Sequence, residues 1–264
     1  VRANGGGSWA GGWLFEPATD HRSGISPNPE GEAYLMLPTP SIAHAIVGAV
    51  LTVLLTRHGH TDRSEPEQYL GQRIDVSLSE RGRQAAGRLA ERLNNVHLDR
   101  IISSPLARAA ETARIIAGPR AVELDARLAE LDYGAWEGLT LEQIEQRFPG
   151  EFELYEADPA DHHVGGGEDG RQVARRLAAL IGELLDSAAA AHSEQTCLLV
   201  GHSSTNRILL AQCLGVALRD YRRRFEQDWA NLTVLRWPDR QSGPLLLLAN
   251  DLAHVRGLTG VTWG

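Results

Sequence analysis

Lysine is missing altogether from the 264 residues; all 26 basic side chains are arginine. That absence excludes a P-loop nucleotide site, a protein-kinase site and any lysine Schiff base, because each of those mechanisms runs through an ammonium group. Cysteine is scarce. Cys197 and Cys213 are the only two, both in apolar segments, which excludes a disulfide framework and reads as buried structural thiols in a reducing, cytoplasmic compartment. A membrane-length apolar run is also lacking: the stretch from Ile42 to Leu55 is interrupted by His44 and Thr52, falls short of the roughly 20 residues a spanning helix needs, and has no basic segment ahead of it. Positive charge is in deficit, with a formal net charge of −8, and a nucleic-acid groove would require a basic face.

What is present suits a globular enzyme. Apolar residues make up 42% and charged residues 23% of the chain, enough to build a core. The length fits one α/β domain plus an extension. Residues 1–41 are rich in Gly, Pro, Ser and Asn without a period of 2 or 3.6, and read as a flexible extension; residues 42–264 read as one domain. Within it, strand and helix patterns alternate. A buried strand ending near Leu55 is followed by a helix from Ser79 to about Asn95, a strand over 100–103, a helix from Pro105 to Ala117 and an extended piece near 122–124. Thr140 and Gln143 form a capping-box pattern opening a short helix that ends at Pro149, and a long Ala/Leu/Arg helix covers about 169–191. The acidic, Gly-rich stretch 150–167 between them reads as a surface loop over the site. Strand 197–201, a helix capped by Ser204 and running through Leu214, and closing strands over 231–237 and 245–249 complete the pattern. This alternation predicts a three-layer α/β/α sandwich with a mainly parallel sheet.

Four segments carry chemistry. Arg57-His58-Gly59-His60-Thr61 follows the apolar run 51–55, so an arginine and a histidine sit where a strand breaks into a loop, the place where open α/β sheets bind ligands. The pair joins a guanidinium fork that grips phosphate oxygens to an imidazole that can attack phosphorus near neutral pH. In Ser103-Ser104-Pro105-Leu106-Ala107-Arg108, Ser104 reads as a helix N-cap and Pro105 as the first helical residue, placing Arg108 at a helix start that suits an anion. In the stretch 128–138, Glu130 stands just ahead of a turn containing Gly134, Trp136, Glu137 and Gly138. Finally, Gly201-His202 ends the buried run 197–200.

Taken in order, these segments resemble the histidine phosphatase superfamily, in the branch that holds phosphoglycerate mutases and small-molecule phosphatases. The Arg-His-Gly-x-Thr, Ser-Ser-Pro-Leu-x-Arg-Ala-x-x-Thr-Ala, Glu-x-x-x-Gly-x-Trp-Glu-Gly and Gly-His elements all occur, spread over about residues 51–250. The resemblance implies a phosphoglycerate mutase-like fold and five site residues. His58 is the expected nucleophile, held by a nearby backbone carbonyl. Arg57 and Arg108 clamp the phosphoryl oxygens. His202 donates to the phosphoryl group, preferably as imidazolium. Glu130 is the expected general acid and base, a role that needs a carboxyl protonated when substrate binds. Glu137 is the competing carboxylate, with a turn-stabilising role as its plainer reading. No cofactor and no metal are implied; the expected partner is a small phosphate ester, not nucleic acid or membrane, with a homodimer left open.

The chain departs from the family pattern at two positions. Ser64 stands where an asparagine often contacts phosphate, and His60 replaces the usual Glu or Gln. His58, His60 and Asp62 thereby spell a His-x-His-x-Asp string of metallohydrolase type, but Arg63 occupies the place of the histidine such a site needs next. His162 and His163, in the acidic stretch, read as plain exposed residues. Between activities, the short, acidic, lysine-free interval between Glu130 and His202 and the Trp136-Glu137-Gly138 turn are more like phosphatases such as α-ribazole-phosphate phosphatase than like mutases. The alternatives are mutase-type phosphoryl transfer and a non-catalytic phosphate-binding module.

Overall fold

A computed structural model describes residues 51–257. The expected extension over 1–41 and the domain start at 42 lie outside the described residues. Six strands, β1 (Leu51–Arg57), β2 (Arg100–Ser103), β3 (Glu123–Leu124), β4 (Gln195–Gly201), β5 (Leu232–Trp237) and β6 (Leu245–Asp251), form one sheet in the order β3-β2-β4-β1-β5-β6. β1, β2, β3 and β4 run parallel to one another, while β5 is antiparallel to both β1 and β6. β1 and β4 occupy the centre because both of their faces are apolar, as parallel strands covered by helices require. Val53, Leu55, Cys197 and Leu199 face one core with α5 (Gly170–Ala191) and α6 (Ser203–Cys213). Leu54, Leu198 and Val200 face a second core with α1 (Glu80–Arg92) and α2 (Ala107–Ala117). This is the expected three-layer α/β/α sandwich. Both cysteines are buried and unpaired, and burial pushes the Cys197 thiol up to about 11 and that of Cys213 to about 12.

Local signals account for three helix starts. Ser79 caps α1 by accepting the Gly82 N–H at 3.2 Å. Capping boxes open α3 (Leu141–Arg147) from Thr140 with Gln143, and α5 from Asp169 with Gln172. Three expectations fail. Ser104 is not the N-cap of α2, which begins at Ala107; the Asp75 carboxylate accepts the Ala107 N–H at 2.7 Å instead. Ser204 does not cap α6 either: the helix starts two residues earlier, after His202, and the N–H groups of Ser204 and Thr205 in its first turn meet the Glu130 carboxylate. Residues 150–167 are not a loop over the site. They contain α4 (Glu151–Ala157), which fully buries Tyr155, and the short turn Val164–Gly166.

That turn packs backbone against backbone on the segment after Glu130. A Cβ on Gly167 would lie 1.9 Å from the Asp132 oxygen, and one on Gly134 would lie 2.1 Å from that of Gly165. Glycine is therefore the residue that lets the two segments touch. Among the described residues, no helix is long and apolar enough to cross a membrane.

Candidate active site

The C-terminal ends of β1 and β4 lie side by side, with Arg57 in register with Gly201. The next residue on each strand is a histidine, so the register alone brings His58 and His202 together. Their ring centroids are 5.1 Å apart, and the His58 backbone N–H donates to the Gly201 carbonyl at 3.0 Å. Ser104, just past the end of β2 on the other side of β4, places its Oγ 2.8 Å from His202 Nε2.

The ring of His58 is oriented by its own chain. Nδ1 lies 2.7 Å from the Gly59 carbonyl oxygen, which can only accept, so Nδ1 carries the proton and Nε2 of the neutral ring keeps its lone pair. Burial first, then the charges of Arg108 and Arg57, hold His58 well below the usual histidine value. His202 is lowered likewise, by burial, then by Arg108 and His58. Both rings are therefore neutral in the free protein near pH 7. A proton titration by NMR should leave the His58 resonances unchanged from pH 8 down through about 6.5, where an ordinary imidazole is half protonated, and shift them only at more acid pH. A midpoint at or above about 6.5 would contradict the buried, arginine-flanked environment.

Arg57, His58 and Glu130 line a cavity of about 370 Å³ together with Ser64, Arg207 and Trp229, among others. Arg108 and His202 are fully buried and do not line it. Arg108 instead donates through Nη2 to the carbonyls of Leu70 and Gly71, both at 2.9 Å, so it holds the loop that crosses the site. The helix N-terminus that suited an anion on sequence grounds is already occupied by Asp75. Arg57 Nε and Arg108 Nε have no protein acceptor.

Glu130 Oε1 accepts hydrogen bonds from the N–H groups of Leu131 and Thr205 at 2.9 and 3.0 Å, and lies 3.0 Å from Thr205 Oγ1, whose single proton is shared with the Ala129 carbonyl at 2.8 Å. Oε2 accepts one, from Ser204 N at 3.2 Å. The carboxylate thus sits on the positive end of α6 and keeps lone-pair capacity on one oxygen. Its backbone carbonyl is held by Gln72 Nε2 at 2.8 Å and Arg176 Nη2 at 3.2 Å. Glu137 serves the loop instead. Its oxygens accept the N–H groups of Gln72, Arg73 and Ile74 at 2.7–2.9 Å, tying down the same segment that Arg108 holds.

His60 and Ser64 are both buried. Ser64 Oγ accepts the Thr61 N–H at 3.0 Å and lines the cavity. His60 turns Nδ1 to Ser79 Oγ at 2.8 Å, and no group of three His, Cys, Asp or Glu gathers as a metal-binding set among the described residues. His162 and His163 pair with Glu151 and Asp169 and do not line the cavity. Sequence reading missed Gln227, whose carbonyl accepts Arg57 Nη1 at 2.9 Å, as well as Trp229 and Arg207. Arg207 had one available cue, its position on the helix that follows His202; the other two come from a segment with no motif.

The profile of the histidine phosphatase superfamily (branch 1) matches residues 53–251, and the chain belongs to that superfamily. Phosphoserine phosphatase 1 of Hydrogenobacter thermophilus is 30% identical over 208 residues, covering 78% of this chain and 95% of the relative. Glucosyl-3-phosphoglycerate phosphatase of Mycolicibacterium vanbaalenii is 33% identical over 178 residues, covering 65% and 78%. Among solved structures, Bacillus stearothermophilus YhfR superposes with a TM-score of 0.70 at 30% identity, covering 78% of this chain and 99% of that one. The fold is thus the phosphoglycerate mutase-like one, and the enzyme class is that of the histidine phosphatases.

Proposed function

We propose that the protein hydrolyses a small phosphorylated metabolite through a phosphohistidine at His58. The observation that carries this reading is the His58 ring itself: Nδ1 is pinned to the Gly59 carbonyl, which leaves Nε2 as the nucleophilic nitrogen in a residue that lines the cavity. Nε2 attacks phosphorus, the bond to the leaving oxygen breaks, and that oxygen takes a proton from Glu130. The same carboxylate then removes a proton from the water that attacks the phosphohistidine, so the enzyme returns to its starting state with inorganic phosphate released.

Arg57 supplies positive charge at the phosphoryl oxygens, and Arg108, behind His58, adds its field and holds the loop wall. His202 starts neutral; the negative charge of an arriving phosphate favours its imidazolium form, whose positive charge, with its ring centroid 5.1 Å from that of His58, adds to the field at the phosphoryl group. On Glu130, Oε2 is the oxygen suited to carry the proton, since Oε1 already accepts two backbone N–H groups and Oε2 only one. A cavity of about 370 Å³ suits a small metabolite, as do the substrates named for the phosphoserine and glucosyl-3-phosphoglycerate phosphatase relatives.

The test is hydrolysis of p-nitrophenyl phosphate in excess EDTA, followed by a panel of phosphorylated amino acids, glycerates, sugars and α-ribazole phosphate. Turnover should be undiminished by the chelator, because Arg57 and Arg108 provide the charge a divalent ion would otherwise bring. Loss in EDTA with recovery on zinc or manganese would favour a metal site at His58, His60 and Asp62. Binding of inorganic phosphate without turnover of any ester would mean a non-catalytic phosphate-binding module.

A further inference from the structure

We infer that Trp229, buttressed by His60, is a positioning residue for Arg57, and that it orients the guanidinium for a phosphoryl group without neutralising it. The inference rests on the phosphatase reading of Arg57. Arg57 Cζ lies over the Trp229 ring, 4.9 Å from its centroid, and the His60 and Trp229 rings meet in a T-shaped contact with centroids 5.2 Å apart and planes at 74°. His60 is itself fixed: Nδ1 bonds Ser79 Oγ at 2.8 Å, and Ser79 is the N-cap of α1. A Cβ on Gly82, in the first turn of α1, would fall 2.1 Å from the His60 carbonyl oxygen. One end of a framework helix is therefore connected through His60 and Trp229 to the arginine beside His58.

The chemistry of each contact explains the need for an aromatic face. Arg57 Nη2 also pairs with Glu67 Oε1 at 3.2 Å, but that carboxylate is 65% exposed and competes with a phosphate for the same charge. An aromatic quadrupole attracts the cation while leaving its charge and its N–H donors available to oxyanions. When substrate displaces Glu67, the Trp229 ring and the Gln227 carbonyl, which accepts Nη1 at 2.9 Å, still hold the group. The backbone points the same way. Ala230, next to Trp229, adopts φ +54, a left-handed conformation rare for a residue with a Cβ, and its N–H donates to the carbonyls of Arg57 and His58 at 3.0 and 3.3 Å. Tryptophan is thus placed against Arg57 by a turn tied to Arg57 itself.

The experiment is a double-mutant cycle in the full chain, reading the Kd of inorganic phosphate by calorimetry, a quantity that needs no turnover. Arg57→Ala should weaken phosphate by roughly 10- to 100-fold. Trp229→Leu should weaken it by roughly 3- to 30-fold when Arg57 is present and have no effect in the Arg57→Ala background. Trp229→Phe, which keeps a weaker π face, should show a smaller loss with the same dependence on Arg57, and it decides the matter if the leucine variant does not fold. His60→Gln should reproduce part of the Trp229→Leu loss, again only with Arg57 present; native affinity in that variant overturns the part assigned to His60. Equal losses in both backgrounds, or none with Arg57 present, overturn the role of Trp229 while leaving the phosphatase reading intact. Native phosphate affinity in Arg57→Ala overturns that reading and this inference together.

Discussion

His58→Ala should leave a folded protein whose turnover of any phosphate ester is lower by a factor on the order of 10⁴ to 10⁶, the scale of removing a covalent nucleophile. The loss belongs to the ring rather than to the fold. The ring's own hydrogen bond runs to the neighbouring Gly59 carbonyl, and the framework bond from the His58 N–H to Gly201 is made by backbone that alanine retains. Truncating one buried side chain should cost no more than about 3 kcal/mol, which thermal unfolding of the variant would measure. Rapid quenching of the native protein with a phosphorus-labelled ester should trap acid-labile, base-stable label. If the same label forms on His58→Ala, the nucleophile is another residue.

Glu130→Gln should discriminate between leaving groups. An alkoxide is a poor leaving group and gains much from a positioned acid, whereas a nitrophenolate departs unaided. Hydrolysis of a glycerate or sugar phosphate should therefore slow by about 10² to 10⁴, the range for loss of general acid–base catalysis. Formation of the phosphoenzyme from p-nitrophenyl phosphate should suffer far less. Glutamine also replaces one acceptor oxygen by an NH₂ group among the donors of Ser204 and Thr205, so part of any loss will be a displaced α6 N-terminus; the difference between the two substrates, not the loss itself, is diagnostic. Glu137→Gln is the control. Its oxygens hold the backbone of residues 72–74, so it should affect both substrates alike, and a selective loss there would reverse the roles of the two carboxylates.

The sequence by itself determined the layer architecture and the places where a histidine would emerge. Apolar runs at 51–55 and 197–200 are long enough for strands and too short for helices, and in a parallel sheet their C-terminal ends share one edge, so His58 and His202 emerge on the same side of the sheet; that they are neighbours follows from the pairing of β1 with β4, which the structure supplies. The capping box at Thr140 was legible because donor and acceptor lie within one helical turn, a distance set by covalent geometry, whereas the Ser79 cap and the Asp169 box emerged only in the structure.

The tertiary structure decided what depends on groups remote along the chain. Local serines were available to cap α2 and α6, yet Asp75 and Glu130 take those N–H groups, because a carboxylate makes a stronger, charge-assisted bond to a helix N-terminus than a hydroxyl does. Helix α4 was hidden in an acidic, glycine-bearing stretch because its core contacts, the buried Tyr155 and the partly buried Phe152 against Trp136, outweigh a weak local pattern. The pairing of Arg57 with Trp229 and Gln227 left no periodic trace at all: such contacts form only after β5 has docked beside β1, when the sheet brings residues from opposite ends of the domain to one edge.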